Sequence, residues 1–211
     1  MGEFLTLYFK NKWNYPWGET RDPFRVLIAE MMLRRTKADQ VQAVYEQLFA
    51  EYPYVKTMAK AGNIELEQIL YPLGLKWRTP AFGLVAREVK EKYQCKIPEA
   101  REELATLPGV GEYVARAVLS IAYGKKEWIV DNNIVRLFRR YFGIKTSKEG
   151  RRGKHVVAIA KVYVSGKDPR KANLTLLDFA ALICLPRDPR CTQCTMSATC
   201  YYRAFGKEEK E

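Results

Sequence analysis

Residues 100–124 read AREELATLPGVGEYVARAVLSIAYG. Two stretches of helical periodicity flank Leu107, Pro108, Gly109, Val110 and Gly111. The Pro108-Gly109 pair breaks the first stretch, and a second amphipathic helix starts directly after Gly111. The two glycines permit positive φ and close backbone approach. A tight hairpin of this kind presents backbone N–H groups at a helix N-terminus. Such an end attracts a phosphate without side-chain charge. Taken alone, LPGVG also fits an ordinary turn between two packed helices.

Outward from the hairpin the chain stays helical. Asp22-Pro23 combines an N-cap with proline at the first helical position, and FRVLIAEMMLRRT follows with apolar residues at Val26, Leu27 and Met31. Further amphipathic stretches are expected over 38–52, 64–71, 81–93, 132–141, 156–164 and 173–184. Breaks fall at Pro53, Pro72-Leu73-Gly74 and Pro98. WIVD at 128–131 is the one strand-like piece, and it is short. The expected fold class is all-α.

Composition narrows the partners. With 47% apolar residues the chain can build a packed core. No apolar run is long enough to cross a bilayer, so no membrane partner is expected. The N-terminal MGEFLTLYFK lacks a small-residue cleavage site, so a cytoplasmic location is the expectation. The formal charge is +12, from 36 Lys and Arg against 24 Asp and Glu. Such an excess suits a polyanion through counterion release, although a solvated basic surface gives the same count.

Four of the five cysteines, Cys184, Cys191, Cys194 and Cys200, follow the spacing C-x6-C-x2-C-x5-C. The first ends an apolar helix, LLDFAALIC, and the others lie on a Pro-rich polar loop. Four thiolates serve a [4Fe–4S] cluster or a zinc ion. Zinc ribbons usually pair two C-x2-C knuckles, and only Cys191 and Cys194 form one here, which favours the cluster. Cys95 stands apart as a plain thiol.

In IVDNNIVRLFRRYFG, Asp131 precedes a helix start. It is an N-cap candidate, and a carboxylate at a helix N-terminus is expected to stay ionised. An ionised carboxylate can stabilise a developing cation. Arg136, Arg139 and Arg140 follow on the same helix, within reach of phosphate or of the cysteine region.

Together, DPFRVLIAEMMLRRT, LPGVGEYVARAV, IVDNNIVR and the cysteine quartet resemble the helix-hairpin-helix DNA glycosylase superfamily in its iron–sulfur branch. The resemblance spans about Asp22 to Cys200. It implies two helical domains with a DNA cleft between them: a six-helix barrel over 23–126, and a cluster domain from 1–22 plus 127–211. It implies a [4Fe–4S] cofactor, double-stranded DNA with a mismatched or damaged base as partner, and a monomer. The target nucleotide would be flipped out of the duplex. By position, Arg34 or Arg35 would fill the gap in the stack, and Leu75 would wedge from the other side. Leu107, Gly109, Val110, Gly111, Arg136, Arg187 and Arg190 would contact the DNA backbone.

The resemblance also distributes the chemistry. Asp131 fits the essential aspartate of the (V/L)-D-x-N pattern, and Glu30 in IAEMML matches a second acid of the mismatch-specific branches. Tyr113 stands where a lysine would give a Schiff-base lyase of the endonuclease III type and a serine would mark the adenine glycosylases. Tyrosine there resembles the glycosylases of T·G and U·G mispairs. The expected activity is therefore monofunctional excision of thymine or uracil opposite guanine. Adenine opposite guanine or 8-oxoguanine is the runner-up, and a glycosylase with lyase activity comes third.

Overall fold

The computed structural model describes residues 15–74, 76–146, 150–166 and 168–206. Helices make up its regular structure, and no strand occurs among the described residues. The all-α expectation holds. The described residues fall into two compact units, Tyr15–Tyr123 and the segment from Gly124 onward.

In the Tyr15–Tyr123 unit, six helices carry the fold: α1 (Pro23–Leu33), α2 (Ala38–Glu51), α3 (Asn63–Leu70), α4 (Thr79–Tyr93), α5 (Arg101–Thr106) and α6 (Glu112–Ile121). A short helix at Val55–Met58 joins α2 to α3. Asp22 caps α1 as its sequence suggests, its carboxylate accepting from the N–H groups of Phe24 and Arg25. The sequence pattern implied a one-sided stripe on α1. Instead every residue from Val26 to Met32 is buried. The helix runs through the interior, packing along α6 and α2. The unit's other helices add Tyr45, Leu48, Leu66, Leu104 and Leu119, all fully enclosed.

Residues 15–22 pack with this unit, not with the cluster domain to which the sequence reading assigned them. The reason is aromatic packing: Trp17 is buried, stacks on Tyr15 and meets the edge of Tyr45. Residues 1–14 of that expected domain lie outside the described residues.

The second unit is built on α7 (Asn132–Phe142), α8 (Lys154–Ser165) and α9 (Pro169–Leu182), with a short helix at Tyr201–Phe205. Ile134, Leu137 and Phe138 of α7 meet Val156 and Ala160 of α8 and Leu176, Phe179 and Ala180 of α9 in one apolar core. α9 starts earlier than its apolar pattern indicated. Asp168-Pro169 repeats the chemistry of Asp22-Pro23, and the Asp168 carboxylate accepts from the Lys171 N–H. The four residues after Pro169 are polar or small, so periodicity alone hid this first turn.

The hairpin between α5 and α6 makes demands on its glycines. Gly109 sits at φ +75, and a Cβ there would lie 2.9 Å from Cβ of Ala81 and 3.0 Å from Cε of Met31. Gly111 has φ −105 and open space around it. Gly109→Ala is therefore expected to destabilise the protein by about 1–3 kcal/mol, from strain plus overpacking. Gly111→Ala should stay within ~0.5 kcal/mol of the parent. Thermal and denaturant unfolding of both variants check this; equal effects would contradict it.

Candidate active site and cysteine pocket

Asp131 is the N-cap of α7. One carboxylate oxygen accepts from the Ile134 N–H at 2.7 Å, and the other accepts from the side-chain amide of Asn133 at 2.7 Å. Both oxygens are thus oriented by the start of one helix. The segment leading into Asp131 is pinned as well. Asn173 of α9 is buried; its oxygen accepts from the Ile129 N–H and its amide donates to the Glu127 carbonyl. Asn133 and Asn173 were not singled out from sequence. The second asparagine of VDNN was a visible signal for the first, whereas nothing local marks Asn173, which lies 44 residues from the backbone it holds.

Charge behaviour at Asp131 departs from the sequence expectation. Burial pushes its carboxyl above the usual aspartate range, outweighing the lowering effects of the Ile134 N–H, the Asn133 amide and nearby Arg136. The helix N-terminus reduces this shift without cancelling it. A second carboxyl, Asp178 in α9, is pushed up to about 7 by burial alone.

Arg136, expected within reach of phosphate or of the cysteine region, reaches the backbone of the latter. Its Nε donates to the Cys184 carbonyl and its Nη2 to the Ala180 carbonyl, so its guanidinium closes the C-terminal end of α9. One turn on, Arg140 donates to the carbonyls of Leu185 and Pro186 and lies 3.6 Å from the Cys184 thiol. Two arginines of α7 therefore hold the entry to the cysteine loop. Its exit is held too. Gly143, at φ +67, ends α7 and faces the Tyr201 ring so closely that a Cβ would lie 2.7 Å from it.

Cys184, Cys191, Cys194 and Cys200 line one pocket with Leu137, Phe179 and Met196 in its wall. Among the described residues, no three Cys, His, Asp or Glu side chains gather closely enough to share one metal ion. Burial pushes the Cys184 and Cys194 thiols up, and Arg140 counters this at Cys184. As donors, the four thiols with an adjacent guanidinium fit an anionic iron–sulfur body whose ligands must be thiolates. Arg187 and Arg190 are exposed on the loop. Cys95 stands apart from this pocket.

In the Tyr15–Tyr123 unit, Glu30 is buried in α1 and Tyr113 is half-buried in the first turn of α6, just after the hairpin. Leu107 and Val110 bury their side chains and direct their N–H groups to the Leu104 and Leu107 carbonyls. These two shape the hairpin from inside; Gly109 and Gly111 are its exposed positions. Arg34 and Arg35 are exposed at the end of α1, and Arg34 donates to the Gly109 carbonyl at 3.1 Å. Leu75 lies outside the described residues.

A capped, half-buried aspartate, a Gly-rich helical hairpin and a four-cysteine loop thus share one helical chain. Residues 28–161 match the HhH-GPD superfamily of base excision DNA repair proteins, and the chain belongs to that family. It is 37% identical over 199 residues to the thymine/uracil-DNA glycosylase of Methanothermobacter thermautotrophicus, which covers 94% of this chain and 90% of the relative. It is 35% identical over 191 residues to the thymine-DNA glycosylase of Aeropyrum pernix, covering 89% and 86%. The solved structure of a thermostable thymine-DNA glycosylase superposes with a TM-score of 0.87 at 37% identity, over 95% of this chain and 93% of that one.

With Asp131 as the proposed stabiliser of positive charge, its raised carboxyl predicts a pH dependence. An aspartate that stabilises positive charge must be ionised, so activity falls as pH drops through its pKa. That fall should begin above the ~4 of an ordinary aspartate. Asp131→Asn should lose at least ~100-fold in single-turnover excision at neutral pH. The helix should survive, because asparagine caps as well as aspartate. Circular dichroism and a pH–rate profile test both parts; an acid limb at or below the ordinary value would contradict the burial argument.

Proposed function

We propose that this chain is a monofunctional DNA glycosylase that removes thymine or uracil mispaired with guanine from double-stranded DNA, acting as a monomer. The observation that carries the reading is Tyr113 in the first turn of α6, next to the hairpin. A phenol at that position supplies no amine for a Schiff base. The similarity to proteins named thymine/uracil-DNA glycosylases supports the same reading. In the proposed reaction the C1′–N bond lengthens and positive charge builds on the deoxyribose. The Asp131 carboxylate stabilises that charge. Water adds to C1′, and its proton leaves with the base or through Glu30, the buried acid of α1. Tyr113 lies against the flipped pyrimidine, by stacking and hydrogen bonding.

The test is an excision panel of T·G, U·G, A·G, A·8-oxoguanine and oxidised-pyrimidine duplexes, developed with alkali to reveal abasic sites. T·G and U·G should be cut only after alkali. Preferred excision of adenine, or strand cleavage without alkali, would overturn the reading. Borohydride should trap no covalent adduct with the parent protein, and Tyr113→Lys should gain measurable trapping.

The four cysteines are proposed as ligands of a [4Fe–4S] cluster. The support is their shared pocket, their thiol donors and the adjacent Arg140 guanidinium. When bound, the cluster would supply an anionic body around which residues 184–200 wrap, presenting Arg187 and Arg190 to the DNA backbone. The purified protein should be brown with broad absorption near ~400 nm, and Cys194→Ser should lose that colour. A colourless, zinc-containing protein would refute the assignment.

A further inference from the structure

Arg78 is buried, at 7% exposure, in the turn that enters α4. Buried arginines normally meet a carboxylate. Here burial pushes its guanidinium down, and the charged neighbours that add to this are Arg34 and Arg35. Because arginine does not give up its proton, three cations stand together at the end of α1. The Arg78 Nη2 donates to the Arg34 carbonyl, while its Nε is buried without a partner among the described residues. The next residue, Arg35, has φ +66, a left-handed conformation rarely adopted by a long side chain. Arg34 in turn donates its own guanidinium to the Gly109 carbonyl, and Gly109 lies against Ala81 of α4. The contacts close a ring: the start of α4, the end of α1, the hairpin, and α4 again.

We propose that Arg78 is a positioning residue for DNA: it holds the Arg34 carbonyl, and thereby fixes the left-handed turn that turns Arg35 outward as the DNA-contacting arginine. Arg34, itself exposed, commits its guanidinium to the Gly109 carbonyl and so ties that turn to the hairpin. The assignment separates two adjacent arginines that the sequence alone could not tell apart. It also gives the unusual backbone at Arg35 a cause. A strained residue persists where its surroundings over-determine it, and here a buried cation holds the peptide just before it. Repulsion among the three guanidiniums is relieved when a DNA phosphate approaches, so their clustering favours the bound state. This rests on the DNA-glycosylase reading above for its ligand, and on the geometry alone for its mechanism.

The test is a double-mutant cycle of Arg78→Met and Arg35→Ala, read as the affinity for a U·G duplex and for a fully paired duplex of the same length. A 2-aminopurine beside the mispair adds a fluorescence signal of base extrusion. Each single variant should weaken binding by about tenfold, and the double variant should be no weaker than the poorer single, because Arg78 acts through Arg35. Both singles should lose the fluorescence rise. Arg78→Lys keeps the charge but not the fork, and should recover only part of the loss. If Arg78→Met does not fold, the same cycle runs with Arg78→Lys. Multiplicative losses would overturn the proposal, as would full affinity in folded Arg78→Met. Coupled losses on the paired duplex without any thymine or uracil excision would leave Arg78 in this role and remove the glycosylase reading instead.

Discussion

The chemistry and the architecture of the second unit converge on the N-terminus of α7. In the proposed reaction Asp131 has two jobs that compete for the same oxygens. As a cap it must accept from the Ile134 N–H; as a stabiliser of positive charge it must remain available to a ligand. Asn133 and the helix end fix the carboxylate in place, so little reorganisation is left for the reaction. The cost is burial, which raises the carboxyl. The two effects oppose each other at one carboxyl, and burial is the larger.

The same helix governs the cysteine segment. Arg136 and Arg140 reach the backbone from Ala180 to Pro186, so the end of α9 and the first cysteine are registered against the helix that begins with Asp131. By sequence these arginines stood within reach of phosphate or of the cysteine region, and Arg136 and Arg140 take the second. Their actual partners are carbonyl oxygens that no local pattern advertises. A helix C-terminus always leaves carbonyls in need of donors, and a guanidinium from a neighbouring helix supplies several at once.

Much of the fold was legible because it is written in short-range terms. Asp22-Pro23, Pro108-Gly109 and the apolar periodicities are local, and the helices formed where they indicated. The exceptions share one cause. The first turn of α9 lacks apolar residues, and the Val26–Met32 run looks like a stripe until neighbours appear on every side. At the site, the cysteines and Asp131 stood out by residue type and spacing, and Tyr113 through the resemblance to the glycosylase family. Asn173, Arg78 and the inward turn of Arg136 did not, because each is defined by a backbone group more than forty residues away. Sequence carries the identity of such residues but not their partners.

The clamping of residues 184–200 bears on the order in which the molecule assembles. A loop that must be ordered by its own ligand makes binding carry the whole entropy of closure. Here Arg136 and Arg140 hold the entry, and the Tyr201 ring seated on Gly143 holds the exit, both on α7. Polypeptide contacts thus fix the separation of the loop ends, and only the segment between them is left for the thiols to arrange. With the proposed cluster, the cysteine loop would be a socket shaped by folding, into which an inorganic body could be fitted late.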